Sequence, residues 1–253
     1  IYELPLAIVG IAVGVVLLPA ISRSLRSGDH AAVTDSQNRS LEFAMMLTIP
    51  AAVAIAIMPS EIVGVLFQRG AFTAQDTETT AAVLGLFALG LPAFVMIKVF
   101  SPAYFAREDT KTPMRYATIS LTANTLGSIA LFYLFRSWGW QPELGIAIAT
   151  SLGGWLNAAL LWFTLHRKAE FDIDQRFRRN APLIVLATAV MAGVLYATLP
   201  FARPYMELGQ GFLVPAATLG AVVALGLLSF AAVILATGVL SLSQFKRMAR
   251  RGG

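Results

Sequence analysis

Seven apolar runs, each near the length that carries a helix across a bilayer, constrain this chain more than any other feature. They cover residues 4–21, 43–59, 81–105, 116–135, 145–165, 181–200 and 212–242. A hydrocarbon core about 30 Å thick takes roughly 20 residues of helix. The second run is short, and the seventh is long enough to tilt or to continue into water. Charged residues make up 13% of the 253, and hydrophobic ones 57%, whereas soluble domains carry about 25% charged residues. The pattern specifies an all-α integral membrane protein. With no cysteine, the chain has neither a disulfide framework nor a thiolate metal site. It begins at Ile1 and enters an apolar run almost at once, without a basic segment and cleavage site, so it reads as a fragment lacking an N-terminal part.

The loops fix an orientation. Alternate loops hold Arg23, Arg26 and Arg39; Arg107, Lys111 and Arg115; Arg167, Lys168, Arg176, Arg178 and Arg179; and Lys246, Arg247, Arg250 and Arg251. The opposite set holds Arg69, Arg136 and Arg203. Fifteen against three obeys the positive-inside rule in every loop. It predicts seven spans with the N-terminus outside and the C-terminus in the cytoplasm. The same distribution accounts for the net charge of +5 without nucleic acid, since the basic loops lack interleaved aromatic residues and a soluble domain to carry them.

Local signals refine the loops. Asp29 is placed to cap a short helix within residues 23–43, lying along the cytoplasmic surface. In the loop after the second span, Ser60 is placed to cap a short helix, Gly70 permits a tight turn, and Thr73 with Asp76 forms the pattern of a capping box. Residues 166–180 are the most polar stretch and the best boundary. Gly10 with Gly14, and Gly153 with Gly154, fit close helix packing.

Enzyme chemistry finds no support. His30 and His166 fall in or beside loops, and neither an HExxH nor a GxSxG motif is present. Of the 14 acidic residues only Glu3 is read at the edge of a span. Glu108 and Asp109 lie in a charged turn where Arg107, Lys111 and Arg115 offer them partners. Lys98 is different: it stands inside the third span, nine residues before Arg107, about 13 Å deeper along a helix. A charge there costs roughly 3 kcal/mol. Either it snorkels to the cytoplasmic interface or it lines a polar cavity. Pro92 and Pro102 bracket it and predict bends. Glu3 has the same two readings, interface residue or cavity acid. Asn124 and Ser128 share a face of the fourth span. With Thr122, Thr125 and Thr150 they suit either interhelical hydrogen bonding or a polar pathway and small cation site. Short alternating loops, proline-interrupted spans and few intramembrane acids describe part of a transporter. A channel is expected to show a filter or charged ring.

Three stretches resemble a known family. They are "ELPLAIVGIAVGVVLLPAIS" (3–22), "LFQRGAFTAQDT" (66–77) and "KVFSPAYFAREDTKTP" (98–113), in the order and spacing of the MurJ (MviN) lipid II flippases of bacterial peptidoglycan synthesis. These belong to the multidrug/oligosaccharidyl-lipid/polysaccharide (MOP) exporter superfamily. The resemblance implies a MATE-like fold of two six-helix lobes followed by two extra helices. Residues 1–165 would then be family helices 8–12 of the C-terminal lobe, 166–180 a charged cytoplasmic linker, and 181–253 the additional pair, helices 13–14, with a basic tail.

The resemblance further implies translocation of lipid II, an undecaprenyl-pyrophosphate glycopeptide, to the outer leaflet of the bacterial cytoplasmic (inner) membrane. The headgroup would cross in a hydrated cationic cavity, with the lipid tail in a groove built by the last two helices. Lipid II and bilayer lipids are the implied partners, cell-wall synthesis proteins further ones, and no cofactor is implied. The alternatives are a flippase for another lipid-linked oligosaccharide, a multidrug exporter of the superfamily, or a non-transporting membrane scaffold. Glu3 matches the family glutamate of the ELP segment, and Lys98 the lysine of the KV-x-x-P segment, which favours the cavity. Asn124 and Thr150 match positions that hold sodium in some members. Ser128 stands where an acid would serve, which argues against a sodium ion here.

Overall fold

The computed structural model describes residues 17–206 and 211–239, together with Glu3 and Ala7. Most of the first apolar run, including Gly10 and Gly14, and the basic tail from residue 240 lie outside the described residues. The described part is helical, with no strand. Its helices are α1 (Leu18–Arg26), α2 (His30–Ile57), α3 (Pro59–Phe67), α4 (Ala74–Phe105), α5 (Lys111–Ser137), α6 (Pro142–Arg167), α7 (Gln175–Met206) and α8 (Leu213–Ala236). Six of them, α2 and α4–α8, are long and apolar enough to cross a membrane.

The helix ends follow from local chemistry. Asp29 caps α2, its side chain accepting from the Ala32 amide at 2.9 Å. The helix it opens is not a short one on the membrane surface. It runs unbroken for 28 residues, so residues 30–42 are the first turns of the second span. The polar composition of this stretch suggests a helix facing water. Instead Gln37, Asn38 and Glu42 are buried against protein, and nothing interrupts the helix between cap and span. Ser60 does not cap α3. Pro59 occupies the first turn with Met58 at the N-cap and no side-chain cap, because proline needs no partner for a missing N–H. Thr73 and Asp76 do form a capping box: the Thr73 amide donates to Asp76 Oδ2 at 2.8 Å and the Asp76 amide to Thr73 Oγ1 at 3.3 Å. Gly70 turns the chain at φ +61°. Pro113 lies in the first turn of α5.

α4 is the hub. It packs on α2, α3 and α6, while α5 leans on α6. α7 and α8 form a pair that rests on α2 and α3. Two buried clusters result. One joins α2, α3 and α4 to the α7–α8 pair, with Met58, Val63, Met191 and Leu195 inside. The other gathers α1, α2, α4 and α6 around Phe100, Tyr104 and Leu161. Adjacent glycines on α6 serve two contacts. A Cβ on Gly154 would stand 2.4 Å from the Phe94 ring of α4, and one on Gly153 would stand 3.0 Å from Asn124 Cβ of α5. The remaining apolar surface faces outward, as a lipid solvent permits: Leu121, Leu126 and Tyr133 of α5 are exposed.

The polar stretch 166–180 is less of a boundary than its composition implies. α6 continues to Arg167 and α7 begins at Gln175, leaving 168–174 as the connection. That connection is packed: Phe171 is buried against Phe100, ring centroids 5.8 Å apart.

Candidate functional site

The segment 98–113 is mostly a joint. Val99, Phe100, Ala103 and Tyr104 are buried. The Tyr104 hydroxyl donates to the Leu161 carbonyl at 2.7 Å, tying α4 to α6. Arg107 donates to the Ala103 carbonyl at 2.7 Å and to the Glu170 carbonyl at 3.3 Å, and stands 3.6 Å from the Glu170 carboxylate. Asp109 accepts from the Thr112 hydroxyl at 2.7 Å and its amide at 3.0 Å, with Lys168 at 3.7 Å. The bonds from Thr112, helped by Lys168, hold the Asp109 carboxyl below the usual carboxylate range. The ion pairs of this turn therefore reach across to the 168–174 connection, rather than closing within the turn as the sequence suggested.

Lys98 is set apart from this joint. It is exposed on α4, and no hydrogen bond or ion pair links it to any described residue. Glu3 is helical and exposed, and the residues flanking it lie outside the described part. Asn124, Ser128 and Thr150 do meet. Ser128 and Thr150 both donate to Asn124 Oδ1, at 3.1 and 3.3 Å, and Thr150 also donates to the Ile146 carbonyl at 2.9 Å. The Ser128 proton thus sits on the amide oxygen that a cation would use, while the single Thr150 proton is shared between that oxygen and the nearer Ile146 carbonyl. α5 has no acid, and Glu143, the one acid of α6, lies seven residues before Thr150. Hydroxyls and one amide oxygen without a carboxylate are a poor donor set for sodium. The neighbouring Ser151 donates to the Leu86 carbonyl of α4. The cluster is therefore level with that part of α4, more than about 15 Å from Lys98 along the helix.

Two features stand out beyond these residues. The first is a groove of about 850 Å³ between α2, α7 and α8; the resemblance implied a groove built by the last two helices, and α2 is the wall it did not include. Phe43, Pro50 and Ala54 form one wall, and Leu195, Gly226 and Phe230 contribute to the other. All of its lining residues are apolar. The second is a buried polar cluster at the end of that groove nearest the 168–174 connection, which carries Glu170, Asp172 and Asp174 against Lys168. Glu42 accepts from Asn180 Nδ2 at 2.7 Å, meets the Arg39 guanidinium, and lies 3.5 Å from Arg176 Nε. Arg39 also pairs with Asp174. Asn38 donates to the Asp172 carbonyl at 2.9 Å and accepts from the Asp174 amide at 3.1 Å. Glu42 is thus a second acid bordering an apolar run, beside Glu3, and it is buried. Asp35, Asn38, Arg39 and Glu42 follow one another at i, i+3, i+4 and i+7. That helical stripe was legible, and it continues directly into the span.

Residues 1–217 match the family model described as lipid II flippase MurJ. The chain belongs to this family. Similarity to MurJ proteins continues past residue 217 through α8: a probable lipid II flippase MurJ from Rhizobium tropici is 39% identical over 99% of the chain. Another from Rhizobium meliloti is 40% identical over all of it. In both cases the chain covers 46% of the relative, so it spans about half the length of the MurJ proteins it matches. A solved lipid II flippase MurJ in an inward closed conformation has the same fold. Its TM-score is 0.66 at 26% identity, over 92% of this chain and 44% of that one. The multi-span transporter bundle expected from the apolar runs is therefore the fold of the MurJ family.

Proposed function

We propose that this chain is the C-terminal half of a flippase that moves lipid II from the inner to the outer leaflet of the bacterial inner membrane. The observation that carries the reading is the wholly apolar groove between α2, α7 and α8, in a chain of the MurJ family. A polyprenyl tail has no hydrogen-bonding group, and an apolar slot holds it without leaving any polar wall atom unpaired. The pyrophosphate headgroup needs the opposite environment and takes a separate, hydrated path. Lys98, exposed on α4 and without an ionic partner among the described residues, is the residue of this chain assigned to that path. Glu3 is assigned to it on the resemblance alone. Asn124, Ser128 and Thr150 act as an interhelical joint.

Residues 1–165 form the second lobe, 166–180 the linker, and 181–253 the additional pair and tail. The C-terminus is cytoplasmic, which the distribution of basic residues supports. Transport follows alternating access by rocking of the two lobes, driven by the membrane potential or an ion gradient. Complementation tests the reading. The full-length protein restores growth and peptidoglycan synthesis to a bacterium depleted of its own lipid II flippase. Loss of viability despite normal expression and membrane insertion would overturn it.

A further inference from the structure

We infer that α7 and α8 are clamped to α2 and α3 at both membrane faces, so that the groove between them is a slot of fixed width that moves with α2 as one body. At the cytoplasmic face the joint is Asn180 on Glu42, 2.7 Å, with both side chains buried. Asn38 reinforces it by binding the backbone of Asp172 and Asp174 just before α7 begins. At the opposite face, Arg203 of α7 donates to Glu61 of α3 at 2.8 Å. There the Arg69 guanidinium also lies 4.8 Å from the centre of the Phe212 ring, at the start of α8.

The spacing gives the arrangement its meaning. Asn180 and Arg203 are 23 positions apart on one continuous helix, about 35 Å at 1.5 Å per residue. The hydrocarbon core is about 30 Å thick. Each joint therefore falls at a membrane interface, and the apolar groove occupies the interval between them. A buried amide–carboxylate bond in low dielectric is held firmly, because separating its partners strands a charge without water. One such joint leaves a helix free to swing about it. Two at opposite ends do not. α7 and α8 have little contact with α4, α5 or α6 to oppose this, since they pack chiefly on α2 and α3. Glu42, Asn180, Glu61 and Arg203 are thus positioning residues that set the width of the groove. A lipid chain enters from the open side of the slot, rather than by the pair swinging away. The clamp itself rests on these contacts alone; its consequence for transport rests on the function proposed above.

The test uses the full-length protein in lipid nanodiscs, with spin labels at Ala56 of α2 and Leu225 of α8, both exposed positions. Pulsed dipolar spectroscopy gives one narrow distance distribution. Asn180→Ala broadens it, and so does Arg203→Glu, which sets a second carboxylate against the nearly buried Glu61; the melting temperature of each variant is measured beside the distances to show that it folds. The charge swap Arg203→Glu with Glu61→Arg restores the narrow distribution. In the complementation assay each single variant lowers flipping about tenfold and the swap recovers it. A bimodal or broad distribution in the unmodified protein overturns the inference. So does an unchanged distribution in the combined Asn180→Ala, Arg203→Glu variant. If the distances behave as expected while the unmodified protein fails to complement, the clamp stands and the lipid II reading falls.

Discussion

A lysine placed well inside a span, as Lys98 is, must gain something that offsets roughly 3 kcal/mol of insertion cost. Its neighbours Val99 and Phe100 are buried, so the helix commits those faces to protein and leaves Lys98 on the open one. If it guides an anionic headgroup, Lys98→Met lowers complementation by about tenfold or more, the equivalent of roughly 1.4 kcal/mol, while Lys98→Arg retains it. Full activity in both variants would assign Lys98 to snorkelling. Asp109 gives a pH signature. Its carboxyl is held below the usual range by Thr112, so its contribution to the turn is fully present above the unfolded value of about 3.9. It is lost as the pH falls below that toward the folded value. Protection of the Thr112 amide from hydrogen exchange, taken relative to its intrinsic rate at each pH, falls over that acidic window, and in Asp109→Asn it stays unchanged across it. Constant protection across the window in both proteins would dismiss the assignment.

Among the helices, the ends are informative. Gly28, Gly139, Glu108 and Ala169 all adopt positive φ immediately after a helix. Each leads a residue whose amide bonds back five positions, as Trp140 does to Phe135 and Glu170 to Leu165. This is the reversal that glycine favours, yet at 108 and 169 a side chain occupies it. The left-handed conformation costs an L-residue roughly 1–2 kcal/mol. Ala169→Gly and Glu108→Gly therefore each stabilise the fold by about 0.5–1 kcal/mol after glycine's extra chain entropy, measured by thermal unfolding in detergent. The opposite substitution at a tight contact behaves oppositely. Gly154→Ala drives a methyl into the Phe94 ring and destabilises by about 1–3 kcal/mol. An unchanged melting temperature would show that α4 and α6 do not pack as closely as described.

Across the whole molecule the organising feature is the groove, whose walls come from helices far apart in sequence. Phe43 and Phe230 both line it. Filling it without disturbing either clamp is the decisive test of its use. Ala54→Trp leaves expression and melting temperature within a few degrees of the parent and lowers complementation by at least tenfold. Full activity with a filled groove would mean that the lipid tail travels elsewhere.

The sequence by itself located the six apolar runs that the described helices carry and the Thr73–Asp76 capping box. Those depend on local physics: the length of helix a hydrocarbon slab requires, and side chains that reach only their own helix end. It also showed Lys98 to be exceptional, since a charge in an apolar run needs no neighbour to be noticed. It could not show that residues 30–42 are the base of a span rather than a surface helix. A polar helical stripe facing water and one facing buried partners have the same composition. Only the tertiary structure decides between them, by bringing Asn180 and Asp174 of a distant helix and loop to Glu42 and Arg39. The groove is of the same kind. Apolar residues that face lipid, core and slot are alike in sequence, and which ones line a cavity is set by how α2, α7 and α8 stand against each other.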